Sequence, residues 1–437
     1  MICLIGDILT DVTLSTPESH TKMRLGGIVH AARCLWAMDI DYAVAYFAPS
    51  YMDEHIHLYL NKIGCKRIIK LGCVTNCPYT MLISEAKEIG NQGYEFLYHE
   101  GIRIAYENSQ FSLLNDFDEL MFISGNYDMD LILKSITHDK VVHADVANNV
   151  RDLCELNTHL HYETLFVSTS SDLFKKYFSD YSSFAELLKP YANKIVLKEN
   201  RGGSRVYESS TGRIHYVPSQ TSEIQHSVGV GDVYDIVSFA SPKDSFEERL
   251  FLASWIAAEY ARTTFIRNFK DAVQRLLQLP NGSLKSMPGC ILPWEIRQRC
   301  HVYIAAPDFD FVDITKIDMV CNSLLYHNFV PHRPIKENGQ MSKNASKPER
   351  MSLFCKDMAL FHQCNMLLAV LLYNDPGTLI EIGLAAQRGI PTLVYDPNGI
   401  AENCMLTELP TLVSSNMDEI ISKIFNEYSR QYENGTL

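Results

Sequence analysis

The chain has 437 residues, too many for one ordinary hydrophobic core, so two domains are expected, with three as the outer limit. It is 46% hydrophobic and 21% charged, with a formal net charge of −13, which argues against a broad nucleic-acid footprint and suits small metabolites. The longest apolar stretch near the C-terminus, MLLAVLLY, is far too short to cross a bilayer, so no membrane partner is expected.

Strand-like sequence, MICLIG, starts at Met1 and leaves no room for a signal or transit peptide, so a cytoplasmic protein is expected. The 12 cysteines are scattered without a CxxC pair. CVTNC (Cys73, Cys77) is the closest spacing and has no second pair, so reduced thiols and no metal site are predicted. Over residues 1–285, ICLIGDIL, DYAVAYFA, ELMFISG, KVVHADV, TLFVST and KIVLKENRGGSRVYE read as strands. IVHAARCLWAM, DSFEERLFLASWIAAEYARTT and KDAVQRLLQL read as helices from their three- and four-residue apolar spacing. Strands separated by helices imply an α/β, doubly wound and largely parallel sheet.

QLPNGSLKSMPGCILPWEIRQRC then concentrates Pro, Gly, Asn and Ser, the composition of a linker, placed at residues 286–299. The α/β rhythm restarts in a second domain at residues 300–437. HVYIAAP, NMLLAVLLY and PTLVYD read as strands, and VDITKIDMVCNSLLYHN and TLIEIGLAAQRG as helices. Between them VPHRPIKENGQMSKNASKPERMS shows no periodicity and reads as a long loop, either a lid or a disordered excursion.

In the first domain HSVGVGDVYDIVSFA puts Gly229, Val230, Gly231 and Asp232 ahead of an apolar helix. Such a turn gathers amides around an anion, and its Asp can take a proton from a hydroxyl. An acid in the first turn of an ordinary helix explains the same residues. GDILTDV, RLGGIVHAARCLWAMDI, ADVANNVRDL, VLKENRGGSRVY and SVGVGDVYD follow in an order that resembles the ribokinase (PfkB) family of sugar and nucleoside kinases. The resemblance implies an anion hole at Gly229, Val230 and Gly231, and a catalytic base at Asp232. It further implies sugar contacts from Asp11, Gly26, Gly27 and His30, with ATP and magnesium as cofactors. The sequence departs from that pattern at His30, where the family has Asn, and at Asn200 and His226. The family's Asn-x-x-Glu metal motif is absent near STSSDLF.

In the second domain LYNDPGTLIEIGLAAQRGIP holds Asp375 and Glu381 six residues apart. Thr378 followed by Glu381 has the spacing of a capping box, in which Glu381 would have only a structural task. Two carboxylates at a strand-to-helix crevice are equally the equipment of glycosidic cleavage. With YIAAPDF before it and Asp357 between, the stretch resembles the nucleoside 2-deoxyribosyltransferase family, whose fold is a flavodoxin-like or Rossmann-like parallel sheet. That resemblance implies a nucleophile at Glu381, assistance to the leaving base from Asp375, and substrate contacts at Asp357, Gly377, Thr378 and Asn403. It also places Tyr303 and Ala305 in the turn near the base, and puts Asn365 where the family is often acidic. No cofactor is implied.

The combined expectation is a cytoplasmic, homo-oligomeric enzyme that acts on a nucleoside or nucleotide and cleaves or exchanges an N-glycosidic bond. Two alternatives stand beside it. One is a working sugar or nucleoside kinase with an accessory second domain, and the other is a nucleotide-sensing effector.

Overall fold

The computed structural model describes residues 1–16, 20–97, 101–147, 150–156 and 160–437; Asn148 and Asn149 of the ADVANNVRDL stretch lie outside them. The chain forms two compact units, residues 1–88 with 92–291, and residues 89–91 with 292–437.

Among the described residues the first unit is built on a ten-stranded mixed sheet. Ile2–Asp7 lies in its parallel interior, flanked on one side by Tyr42–Ala48 and Arg67–Thr75. On the other side run Glu119–Phe122, Val141–Asp145, Tyr162–Ser168 and Ala192–Lys198. Ile2–Asp7 and Tyr42–Ala48 are buried at every residue, as strands covered on both faces must be. KIVLKENRGGSRVYE, expected as one strand, is instead two antiparallel strands, Ala192–Lys198 and Ser204–Glu208. The chain reverses where Asn200 and Gly203 take positive φ angles of 53° and 95°.

A second sheet of four short strands, Thr10–Thr13, Lys22–Leu25, Thr80–Ile83 and Tyr94–Phe96, was not predicted. Most of its residues are half-buried or exposed, so they carry no apolar alternation.

The second unit holds five parallel strands in the order Val330–His332, His301–Ala305, Met366–Val370, Thr392–Tyr395 and Leu412–Ser414. On one face Tyr303, Ala305, Leu367, Ala369 and Val394 pack with Phe361, Ile382 and Ala385. Elsewhere the helix Met417–Glu433 brings the Tyr428 hydroxyl to the His301 carbonyl at 3.0 Å and Asn365 Oδ1 at 2.8 Å. Asn365 Oδ1 also accepts from the His301 amide at 3.1 Å, so this side chain pins two strand starts.

The expected long loop is largely structured. It contains the strand Val330–His332, the short helix Pro334–Asn338, and the start of a 17-residue helix, Lys347–Gln363. Only Leu360 and Phe361 of that helix are buried, which removes the periodic signal. Its start was nevertheless written in the sequence: Ser346 and Glu349 form a capping box around Pro348. Within the Pro/Gly-rich stretch Ser219 bridges to Cys290, Leu292 and Arg297 are buried, and Trp294–Arg299 forms a 3-10 helix.

Candidate functional site

The helix Pro376–Gln387 starts three residues earlier than a Thr378 cap requires. Its N-cap is Asp375, whose Oδ2 accepts from the Thr378 amide at 2.8 Å and the Thr378 hydroxyl at 3.0 Å. Pro376 follows at the first helical position, where its missing N–H costs nothing. The expected Thr378–Glu381 capping box is therefore absent, because Asp375 takes the cap and moves Glu381 beyond the first turn. Thr378, buried, completes the cap contact.

Glu381 turns to a different task. Its Oε1 accepts the Tyr303 hydroxyl at 2.7 Å. Tyr303 is the third residue of the strand His301–Ala305 and packs edge-on against Phe361, with ring centroids 5.1 Å apart. Burial pushes the Glu381 carboxyl up to about 7, the Tyr303 hydrogen bond opposes the rise, and the charges of Asp357 and Asp375 add to it. Burial likewise raises the Asp357 carboxyl, which accepts from Asn338 Nδ2 at 2.9 Å. Burial and the neighbouring Glu381 raise the Tyr303 phenol, which keeps it a donor. Gly377 stands four residues before Glu381 on the same helix face, and a Cβ there would come within 3.0 Å of Asp375 Oδ2.

Tyr303 and Ala305, expected in a turn, are instead strand residues, and Ala305 is its last, fully buried. The turn begins at Ala306. Asn403 is exposed and caps the short helix Cys404–Glu408 through the Met405 amide at 2.9 Å. Among the described residues its side-chain oxygen serves this cap, while Glu381 is held by Tyr303.

The first unit assembles a second cluster. Asp11 and Arg24 face each other on neighbouring antiparallel strands, and the double glycine lets the chain fold back beneath them. A Cβ on Gly26 would overlap the Asp11 carboxylate at 2.2–2.3 Å, and Gly27 has φ +61° with the Asp7 carbonyl 2.1 Å from its own virtual Cβ. His30 Nε2 lies 3.0 Å from Asp11 Oδ2 and its Nδ1 lies 2.6 Å from the Tyr260 hydroxyl. Burial lowers the imidazole to about 4, against the raising effect of Asp11, so it is neutral at pH 7. Gly229, at φ +78°, caps the helix Val230–Ala240, and a Cβ there would meet the His30 ring at 2.1 Å.

Val230 already donates to the Ser227 carbonyl at 3.2 Å, while the Gly231 and Asp232 amides have no acceptor within the helix. Asp232 is half-buried, and burial with the Asp145 charge pushes its carboxyl up to about 7 against the opposing effect of Lys198. Lys198 Nζ sits between Asp145 Oδ2 at 2.8 Å and Asp235 Oδ2 at 2.6 Å. Among the described residues no three His, Cys, Asp or Glu groups are placed to hold a metal ion. Lys198 supplies a single positive charge to Asp145 and Asp235, so these carboxylates would hold a magnesium ion only together with the phosphates of a bound nucleotide.

Residues 302–410 match the family model of nucleoside 2-deoxyribosyltransferases. The solved structures similar to the chain include three ribokinase-type proteins. One is Arabidopsis thaliana ribokinase complexed with ribose and ATP (12% identity, 64% of this chain and 99% of that one, TM-score 0.46). Another is Thermotoga maritima ribokinase (13% identity, 64% and 99%, TM-score 0.45). The third is a putative ribokinase II from E. coli in complex with ATP and Mg (13% identity, 63% and 99%, TM-score 0.47). Among curated proteins no sequence matches.

The deoxyribosyltransferase match spans Tyr303, Asp357, Asp375, Gly377, Thr378, Glu381 and Asn403. Sequence reasoning missed Asn338, which positions Asp357, and the buried Asp308, which takes Arg333 Nε and Nη2 at 2.8 and 2.7 Å. It also missed Lys198 with Asp145 and Asp235 in the first unit. VLKENRGG, HADV and SVGVGDVYD carried these residues, but only the sheet brings Asp145 and Lys198 together. Among the described residues no helix is long and apolar enough to cross a membrane.

Proposed function

We propose that the deoxyribosyltransferase-like domain cleaves or exchanges the N-glycosidic bond of a nucleoside or nucleotide, with Glu381 as nucleophile. The observation that supports this reading is the Tyr303–Glu381 pair, a half-buried carboxyl held by a phenol and influenced by the charges of Asp357 and Asp375. Tyr303 engages Oε1, leaving Oε2 to attack the anomeric carbon as the bond to the base nitrogen breaks. The base leaves with a proton supplied from the acid side, for which Asp357 and Asp375 are the candidates. The resulting glycosyl ester is resolved by water or by a second base, giving hydrolysis or transfer. Release of free base from a panel of nucleosides and nucleotides, followed by chromatography, tests the reading.

Tyr303 acts here through Glu381 and is a positioning residue. Tyr303→Phe removes the donor that favours the ionised carboxylate, so the acidic limb of the kcat/KM profile is expected to move to higher pH. The fold is expected to persist, because the ring's contact with Phe361 remains. An unchanged pH profile in Tyr303→Phe would show that the phenol does not tune the nucleophile.

A second reading for the first unit rests on Asp232. A carboxyl near 7 beside the free amides of a helix start has the properties of a general base for phosphoryl transfer. Against turnover stand His30, which occupies Asp11, and Lys198, which already pairs with Asp145 and Asp235. We therefore infer a ligand-holding unit with weak or absent kinase activity. With ATP, magnesium and a sugar or nucleoside, little phosphorylated product is expected, and Asp232→Asn should lower any that forms by at least about 100-fold. Rapid magnesium-dependent phosphorylation by the intact protein would reverse this reading.

A further inference from the structure

The helix Val29–Ala37 buries Arg33, which is 5% exposed. Its guanidinium donates to the Tyr59 hydroxyl at 2.6 Å, the Tyr260 hydroxyl at 3.3 Å and the Leu25 carbonyl at 2.9 Å, and Nη1 lies 3.4 Å from His30 Nδ1. None of these partners is a carboxylate, the His30 imidazole titrates at about 4, and burial raises the Tyr260 phenol. Among the described residues no carboxylate lies within 4.0 Å of Arg33. A buried charge without a counter-charge is costly. The same unit pairs buried Arg205 with buried Glu199 through two bonds of 2.8 and 2.7 Å, so a missing counter-ion at Arg33 is not the habit of this fold.

Arg33 borders an open cleft of about 60 Å³, lined also by Arg24, Tyr260, Thr263, Thr264 and Phe265. Arg24 borders the same cleft: its Nη1 and Nη2 lie 3.4 and 3.2 Å from the His226 ring nitrogens, Nη2 donates to the Val228 carbonyl at 3.1 Å, and its ion pair with Asp11 is long, at 3.8 Å. At the cleft begins the 12-residue helix Ile266–Leu277, which has no side-chain cap on its N-terminal amides and no acid in its first turn. A cleft of that volume is large enough for one small tetrahedral oxyanion.

We propose that this cleft binds a phosphate group, held by Arg24 and Arg33 and by the start of the helix Ile266–Leu277. Guanidinium forks match phosphate oxygens, and a helix N-terminus adds aligned amides. The ligand is inorganic phosphate or the phosphate of a small monoester. The inference is independent of the glycosyl chemistry proposed above.

Titration calorimetry and thermal unfolding of the full chain test it, with inorganic phosphate, ribose 5-phosphate and ribose as probes. Phosphate and ribose 5-phosphate are expected to bind and to raise Tm, by mass action on the folded state. Ribose 5-phosphate binding tenfold or more tightly than inorganic phosphate identifies the monoester as the ligand, and equal affinity identifies the free ion. Arg33→Gln should weaken phosphate by about tenfold or more, the scale of losing a charge-assisted bond. Because Arg33→Gln removes a buried side chain, Thr264→Glu provides a second test, placing a tethered carboxylate at the cleft. That variant should have a raised Tm and should no longer respond to phosphate. Wild-type protein that fails to bind phosphate, or Thr264→Glu that binds it as wild type does, overturns the proposal.

Discussion

Glu381→Gln is expected to leave the protein folded and to lower base release by at least about 1,000-fold, the order of loss when a nucleophile is removed. The amide oxygen can still accept the Tyr303 hydroxyl, but it cannot form the glycosyl ester. The cap is untouched, because Asp375 and Thr378 hold it. Stability gives a second readout. The folded carboxyl titrates at about 7, above its ordinary value of 4.5, so the folded state binds this proton more tightly than the unfolded chain. That stability is full below pH 4.5 and is lost as pH rises through about 7. Above pH 7, Glu381→Gln should therefore be at least as stable as wild type while inactive. Wild-type activity should fall as pH drops through about 7, as the nucleophile is protonated. Peptide mass analysis after reaction with a slow fluorinated nucleoside should find the adduct on Glu381. Wild-type turnover by Glu381→Gln on a confirmed substrate would remove it from the mechanism.

The largest stability effect is expected at Lys198. Its ammonium lies between Asp145 and Asp235, and Asp235 is fully buried with one carboxyl oxygen, Oδ1, already lacking a hydrogen-bond partner. Lys198→Met removes the cation and leaves two carboxyls facing each other, at a cost of about 3–5 kcal/mol. Burial already raises the Asp235 carboxyl well above its usual range, with Lys198 the main opposing influence. Without that opposition the raised carboxyl is protonated more readily in the folded state, so the penalty should grow as pH rises and shrink in acid. Denaturant unfolding across pH measures both the size and the slope. A loss below 1 kcal/mol that does not vary with pH would mean that the ammonium does not hold the pair together.

Of the two carboxylates in LYNDPGTLIEIGLAAQRGIP, sequence spacing assigned the cap to Thr378 and Glu381, and the structure assigns it to Asp375 and Thr378. Both patterns obey the same capping chemistry, so local rules alone could not choose between them. The choice depends on where the preceding strand ends, which the sheet sets. Tyr303 meets Glu381 at a sequence separation of 78 residues, and no local signal records such a partner.

The buried strands were legible because their continuous apolar runs have one stable use, a sheet covered on both faces. MICLIG, DYAVAYFA and NMLLAVLLY each lie over such a strand. The helix Lys347–Gln363 was not legible by periodicity, since it buries little, although Ser346 and Glu349 announced its start. His30 was visible as a departure at the double-glycine turn, but its consequence required tertiary structure. Only folding places its ring against Gly229 and its Nε2 on Asp11. The sequence by itself determined the two α/β halves and the residue types at each candidate site, because composition and short-range pattern act over a few residues. Which carboxylate is aimed by a phenol and which buried arginine lacks a carboxylate partner were decided by packing, because those properties belong to residues far apart in the chain, and even the choice of cap depends on where the sheet ends the preceding strand.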